Sequence, residues 1–308
     1  MKDFKIKEIE LDNGEVIKRT EWFSEHWYSV NSVENPLKSV TMVLGVVDKG
    51  YAYSEWLKAT GINSDYISRI AKEKGSFLHN TIERAIYGEE ISVDHGFGEI
   101  MEKREWIKLE NWFNWWEWML AENELETHRV EQIVYNQRLG VAGTADWIGK
   151  VNGEVWLFDW KTGNAIHDES DLQVSIYAYM YNKMIERKEI DAEPIQRVAV
   201  VHVGAKNKKN MKGTYHAKGI KVHEVVDWNT YGVRNFRNVL ETFNWKNPDI
   251  KAPNEEHLYN FKLSGGTLES EVMESAKLNT PEVHKSGGDD NRQQGELFQK
   301  EGGEKNES

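Results

Sequence analysis

The chain of 308 residues contains no cysteine. That excludes a disulfide framework, a thiolate zinc site and a cysteine-ligated iron–sulfur cluster, and it fits a reducing cytoplasm. Long hydrophobic runs are missing as well: nothing approaches the roughly 18 apolar residues that a membrane helix needs. The opening stretch MKDFKIKEIELDNGEVIKRT lacks the apolar segment of a secretory signal. An excess of positive charge is also absent, the net charge being −12. Taken alone, this argues against a nucleic-acid-binding protein. However, residues 264–308 hold ten acidic and five basic residues, which accounts for −5 and leaves −7 on the rest. A metal-dependent site would also need several carboxylates, and its local field would be set by the bound cations.

What is present is enough to build a core. Hydrophobic residues make up 39% and aromatics 11%, with 13 tryptophans, which excludes a wholly disordered chain. Residues 1 to about 20 read as a β-hairpin around Asn13-Gly14. A short apolar run follows at 38–45. The pattern is helical from 51 to about 88, broken near Gly61 and loosened at Gly75, and a tryptophan-rich helix fits 99–123. Strands are expected at about 129–137, 140–150 and 154–160, then a helix at 168–187. A buried strand at 197–204, a strand pair near 213–226 and a helix at 227–243 complete the body. From Ser264 the sequence is polar, Gly-rich and charged, as disordered segments are. The division is thus a domain over 1–263 and a disordered acidic tail over 264–308.

The chemistry-bearing segment is GTADWIGKVNGEVWLFDWKT, residues 143–162. Asn152-Gly153 predicts a two-residue type I′ turn, so Val151 pairs with Glu154 and every later pair sums to 305. Asp146 and Asp159 satisfy that sum and fall opposite each other on one face, about 5 Å apart at Cβ. Lys161, two residues past Asp159, shares the face. Two facing carboxylates in a half-buried sheet repel, and a divalent cation offsets the repulsion. The lysine stands where it can stabilise an attacking hydroxide or the charge growing on a phosphate. Asp146 and Asp159 are the candidate metal ligands, with the Trp160 carbonyl as a further one. A plain surface charge cluster is the alternative, but Trp156, Leu157, Phe158 and Trp160 make both faces apolar, as in a central strand, where lone carboxylates are costly.

This Asp, then Asp-x-Lys, pattern resembles the PD-(D/E)XK nuclease superfamily. The run QVSIY at Gln173 to Tyr177 looks like the Q-x-x-x-Y motif of its RecB-like exonuclease branch, and the i, i+4 spacing puts both residues on one helix face. GSFLHNTIE, residues 75–83, looks like the G-x-x-x-H motif of that branch, whose histidine is a metal ligand; that role falls on His79. KSVTMVL at 38–44 followed by Trp56, and DWKT at the lysine strand, are similar to phage exonucleases and the mitochondrial genome maintenance exonuclease. The resemblance covers roughly residues 38–205. The absence of cysteine sets the chain apart from relatives that frame a cluster with cysteines. Where the superfamily often has Glu, this chain has Asp159.

The resemblance implies an α/β fold with a restriction-endonuclease-like core: a mixed central sheet flanked by helices, with an N-terminal helical wall over the site. It implies a Mg²⁺- or Mn²⁺-dependent deoxyribonuclease acting on DNA with a free end, in phage or bacterial replication, recombination or repair, in the bacterial cytoplasm. Asp146, Asp159, Lys161, Gln173 and Tyr177 would form the catalytic set. A recombinase or a single-strand-binding protein would be a fitting partner. Glu131 either assists the metal site, as an acidic residue of this region does in related enzymes, or is a plain edge-strand glutamate. Structure-specific flap cleavage and a non-catalytic DNA-binding module are the rival functions; the intact Asp146, Asp159 and Lys161 set speaks against the second.

Trp112, Trp115 and Trp116 follow i, i+3, i+4 and read as a buried stripe in preference to a base-stacking platform. Lys206, Lys208, Lys209 and Lys212 crowd one loop that is either merely solvated or contacts phosphates. Arg69, Lys72 and Lys74 are a second such group. In the tail, Gln294, Leu297 and Phe298 form Q-x-x-L-F, which resembles the short peptides that dock in the pocket of a bacterial sliding clamp. A peptide of about residues 288–303 should bind the clamp at micromolar concentration and lose binding when Leu297→Ala and Phe298→Ala are combined; fluorescence anisotropy checks this, and no binding at high micromolar concentration removes the partner.

Overall fold

Alternation of apolar and polar residues at the N-terminus produces strands that pair in sequence order. A computed structural model describes residues 6–22, 25–31, 36–91, 103–205 and 219–251. Strands β1 (Ile6–Glu10), β2 (Val16–Trp22), β3 (Glu25–Val30) and β4 (Leu37–Ser39) are successive antiparallel neighbours. The hairpin predicted around Asn13-Gly14 is there, with Gly14 left-handed at φ +81°. β3 was not anticipated; only six residues long, it gains its place by pairing on both edges and burying Trp27, Tyr28 and Val30. The apolar run at 38–45 divides in two. Ser39 ends β4 and caps helix α1 (Val40–Leu44), accepting from the Met42 N–H at 3.0 Å.

Helix α2 (Tyr51–Thr60) stops at left-handed Gly61, and α3 (Ser64–Ile86) then runs through Gly75 without a break. The tryptophan-rich helix is α4 (Lys103–Glu122). Strands β5 (Leu125–Asn136), β6 (Val141–Val151) and β7 (Glu154–Lys161) form a meander, with helix α5 (Asp168–Glu186) crossing over to β8 (Arg197–Val203), which runs parallel to β7. Of the strand pair expected near 213–226, β9 (Ile220–Glu224) is described and residues 211–218 are not. The expected last helix begins with a π turn at Trp228–Gly232 and continues as α6 (Val233–Lys246).

Among the described residues the result is a mixed nine-stranded sheet flanked by helices, a restriction-endonuclease-like α/β architecture. One face packs α1, α5 and α6 against Ile133, Ile148, Leu157 and Val200. On the other, Trp112, Trp115 and Trp116 of α4 meet Trp147, Phe158 and Trp160 of the sheet. Trp147 stacks on Phe158 at 4.9 Å, and Trp116 meets Trp147 edge-on at 5.6 Å. The stripe is therefore core: a Trp112 with no exposed surface has no face left for a base. Such rings bring about 1.5–3 kcal/mol each from burial and about 0.5–1.5 kcal/mol per well-placed pair. With both faces covered, β6 and β7 are central strands. No helix among the described residues is long and apolar enough to cross a membrane.

Gly149 of β6 lets this aromatic layer close. A Cβ there would lie 2.2 Å from the backbone carbonyl of Glu126 and 2.4 Å from the Trp147 ring. Gly149→Ala should therefore lower stability by about 1–3 kcal/mol or more, seen as a lower midpoint in thermal or urea unfolding with the slope unchanged.

Candidate metal centre and active site

The site is built on an irregularity of β6. One edge of this strand pairs with β5 along its length. The other edge is shared: β4 takes Val141 and Ala142, while β7 takes Trp147–Val151. Between them, residues 143–146 have no strand partner on that edge among the described residues. The β6–β7 turn is type I′ as expected, with Asn152 and Gly153 at φ 52° and 83°, and the paired numbers sum to 305. The ladder stops at Trp147 with Phe158, one step before Asp146 and Asp159, so these two do not form a backbone pair. Instead the Trp160 N–H donates to Asp146 Oδ2 at 2.7 Å. A carboxylate takes the place of a ladder carbonyl.

Helix α5 comes down onto this opening because Gly143 has no side chain; a Cβ would stand 2.2 Å from Tyr177 Cε1. One turn earlier, the Gln173 amide joins three predicted residues. Its Oε1 accepts from Lys161 Nζ at 2.9 Å, and its Nε2 donates to Asp159 Oδ1 at 3.0 Å and to the Tyr177 hydroxyl at 3.2 Å. The opposite amide orientation would set NH₂ against ammonium and oxygen against carboxylate, so the neighbours dictate this one. Lys161 Nζ also lies 2.7 Å from Asp159 Oδ2. Burial keeps the Tyr177 phenol neutral, well above its usual range.

The two aspartates have different surroundings. Asp146 meets His79 Nδ1, delivered by α3, at 3.4 Å. Burial opposes its charge, but His79, Lys161 and the Trp160 N–H together hold its carboxyl below the usual range. Asp159 is pushed up by burial despite Lys161 beside it. Across the other edge of β6, Glu131 falls between the pairs Val130 with Trp147 and Gln132 with Ala145, hence beside Asp146. It is left-handed, at φ 51°, which is uncommon for a residue with a Cβ and marks strain held by its surroundings. Burial and the neighbouring Asp146 raise its carboxyl to about 7, even with His79 and Lys7 nearby.

One ligand atom each from His79, Glu131 and Asp146 lie within 4.8 Å of one another. Mixed imidazole and carboxylate donors suit a divalent cation, and a buried acidic pair at odds with itself is what such a cation would relieve. Two predicted ligands thus stand with Glu131, the less expected one. Asp159 is instead engaged by Lys161 and Gln173, and Trp160 meets the site through its N–H.

Of the predicted phosphate contacts, Arg69 pairs with Glu73 at 3.2 Å and Lys74 with Glu105 at 3.9 Å, while the charge of Lys72 bears on Glu25 and His26. Lys206, Lys208, Lys209, Lys212, Gln294, Leu297 and Phe298 lie outside the described residues. The sequence reading missed the N-terminal hairpin's share. Arg19 Nη1 donates to Thr144 Oγ1 at 3.2 Å and lies 3.8 Å from Glu131, Lys7 lies 3.9 Å from Glu131, and the Tyr28 hydroxyl is 3.2 Å from Thr144. It also missed buried Glu105 and Lys108 of α4. Lys108 donates to the Thr162 carbonyl at 2.7 Å and pins the residue after Lys161. The alternating pattern of FKIKEIEL predicted the strand, and nothing in it pointed to Glu131.

A sequence model of the PD-(D/E)XK nuclease superfamily matches residues 59–257 of the chain. A search of curated proteins finds no match.

Burial works against the His79 imidazolium, yet Asp146, Asp159 and Glu131 raise its pKa from 6.5 to about 9. A raised value means that the His79–Asp146 pair stabilises the metal-free protein fully below pH 6.5 and is lost as pH rises through about 9. A metal ligand must be the neutral imidazole. Mn²⁺ affinity should therefore climb between pH 7 and 9 with proton release. Calorimetry in two buffers of different ionisation enthalpy measures that release, and His79→Ala should remove the part that persists above about pH 8, leaving the release from Glu131 near pH 7.

Proposed function

We propose that this chain, which belongs to the PD-(D/E)XK nuclease superfamily, is a divalent-metal-dependent exonuclease that hydrolyses DNA phosphodiesters from an end. The observation that carries the reading is a juxtaposition: the Asp159–Lys161–Gln173 network lies beside the His79, Glu131 and Asp146 group at the opening in β6. The nuclease chemistry follows from the family, and the preference for an end from the likeness of four ordered motifs to the exonuclease branch.

In this reading His79, Glu131 and Asp146 hold the cation, Mg²⁺ or Mn²⁺, with Asp159 and the Trp160 carbonyl as additional donors. When bound, the cation supplies Lewis-acid activation of water and of the phosphate oxygens. Lys161 keeps a positive charge where negative charge grows on the phosphate. Asp159 and the Gln173 carbonyl aim that ammonium from two sides, and the Tyr177 hydroxyl and Asp159 carboxylate anchor the other end of the same amide. Trp160, fixed by the aromatic layer, presents its N–H to Asp146 and so sets the carboxylate's rotation. Lys206, Lys208, Lys209 and Lys212, with Arg69, Lys72 and Lys74, are the proposed DNA-backbone contacts. The tail over 264–308 is proposed to bring the nuclease domain to a sliding clamp through Gln294, Leu297 and Phe298. A recombinase or single-strand-binding protein in a phage or bacterial host would share the same DNA ends.

Lys161→Ala should lower the cleavage rate by about 10²–10³-fold or more while leaving DNA binding nearly intact, because the lysine acts on the transition state. End-labelled linear DNA should be degraded with Mg²⁺ or Mn²⁺ and closed circular DNA should resist. Gel assays on both substrates check this; rapid loss of the circle would replace the exonuclease with an endonuclease.

A further inference from the structure

Residues 6–22 lie outside the stretch matched by the superfamily, yet this hairpin delivers two cations to the candidate centre. We propose that Arg19 and Lys7 form a phosphate-binding subsite that holds the DNA backbone one nucleotide away from the phosphate being hydrolysed. The proposal rests on the nuclease reading above and adds to it a substrate contact that comes from the N-terminal hairpin.

Position supports it first. Arg19 is held by Thr144, in the part of β6 left open between β4 and β7. Thr144 is two residues before Asp146, so both side chains share a face at a separation of about 7 Å along the strand. One nucleotide of a DNA strand spans such a step. The Tyr28 hydroxyl, on a buried ring, contacts the same Thr144 oxygen and neighbours the guanidinium. Arg19 and Lys7 themselves remain 25% and 33% exposed, so a ligand can reach them.

Apart from the bond of Arg19 to Thr144, the contacts they already make are long. Both cations approach Glu131, and Lys7 also approaches Glu83, at 3.8–3.9 Å, beyond hydrogen-bond range. These pairs are long and only partly buried, and a cation taken up by Glu131 would weaken them further. Charge then points to an anion. With His79 neutral, as a metal ligand must be, Glu83, Glu131, Asp146 and Asp159 face Lys7, Arg19 and Lys161, one negative charge in excess. A divalent cation turns that into one positive, which one phosphodiester neutralises. Guanidinium and ammonium beside two hydroxyls are the donors that bind a phosphate.

The test uses Lys161→Ala as parent, so that substrate survives, and measures binding of a fluorescent oligonucleotide with Mn²⁺ across a salt series. Adding Arg19→Gln or Lys7→Gln should weaken binding about tenfold and reduce the slope of log affinity against log salt by about 0.7–0.9 per cation removed. Arg19→Lys should keep most of the slope. If Arg19 serves only to brace Glu131, the Gln variants will lower Mn²⁺ affinity in a metal titration while their salt slopes coincide with the parent's; coincident slopes overturn the proposal. A parent that binds no DNA at low salt would remove the nuclease reading, and this one with it, whereas coincident slopes in a DNA-binding parent remove this one alone.

Discussion

Repulsion between carboxylates in a dry place shapes this molecule. Glu131, Asp146 and Asp159 are brought together where β5, β6 and β7 meet, and Asp159 is almost fully buried. Isolated charges there would cost several kcal/mol each. The protein answers each one separately. Asp146 receives a backbone N–H and an imidazole, Asp159 receives an ammonium and an amide, and Glu131 receives two distant cations and a raised pKa. Glu131 is the least well satisfied of the three, and it sits in a left-handed backbone. A site with one partly compensated acid beside a well-compensated one is poised to take up a cation.

The rest of the architecture holds that corner rigid. The aromatic layer lies on the face opposite the acids, so each aspartate is flanked by a ring pointing the other way: Trp147 follows Asp146, and Phe158 and Trp160 enclose Asp159. Those rings cannot turn without opening a densely packed cluster. The backbone N–H that sets Asp146 is therefore as fixed as the core. On the acid face, α5 reaches the sheet because Gly143 leaves room for Tyr177, and this in turn places Gln173 between lysine and aspartate. Lys108, drawn into the body with Glu105, ties down the strand's continuation at Thr162.

The N-terminal hairpin extends this pattern outward. β1 to β3 continue the sheet beyond β4 and carry Lys7, Arg19 and Tyr28 to the edge of the acid corner. A chain with a net charge of −12 thus places positive charge locally, where an anionic strand would enter, without needing a basic surface overall. Local potential near a bound cation, more than net charge, decides whether a polyanion can approach.

Much of this was legible in the sequence because it depends on near neighbours. Asn152-Gly153 favours one turn type, that turn sets the register, and the register puts Asp146, Asp159 and Lys161 on one face. The i, i+4 spacing does the same for Gln173 and Tyr177, and i, i+3, i+4 for the buried tryptophans. What the tertiary structure alone decided are the contacts between residues far apart in the chain: Glu131, and not Asp159, joining His79 and Asp146; the ladder ending one residue short, so that a side chain takes the Trp160 N–H; and Arg19 resting on Thr144, 125 positions away. Local preferences act through the backbone of a few residues at a time. Which strand runs beside which, where a ladder stops and which carboxylate is left with the weaker partner depend on how whole layers pack.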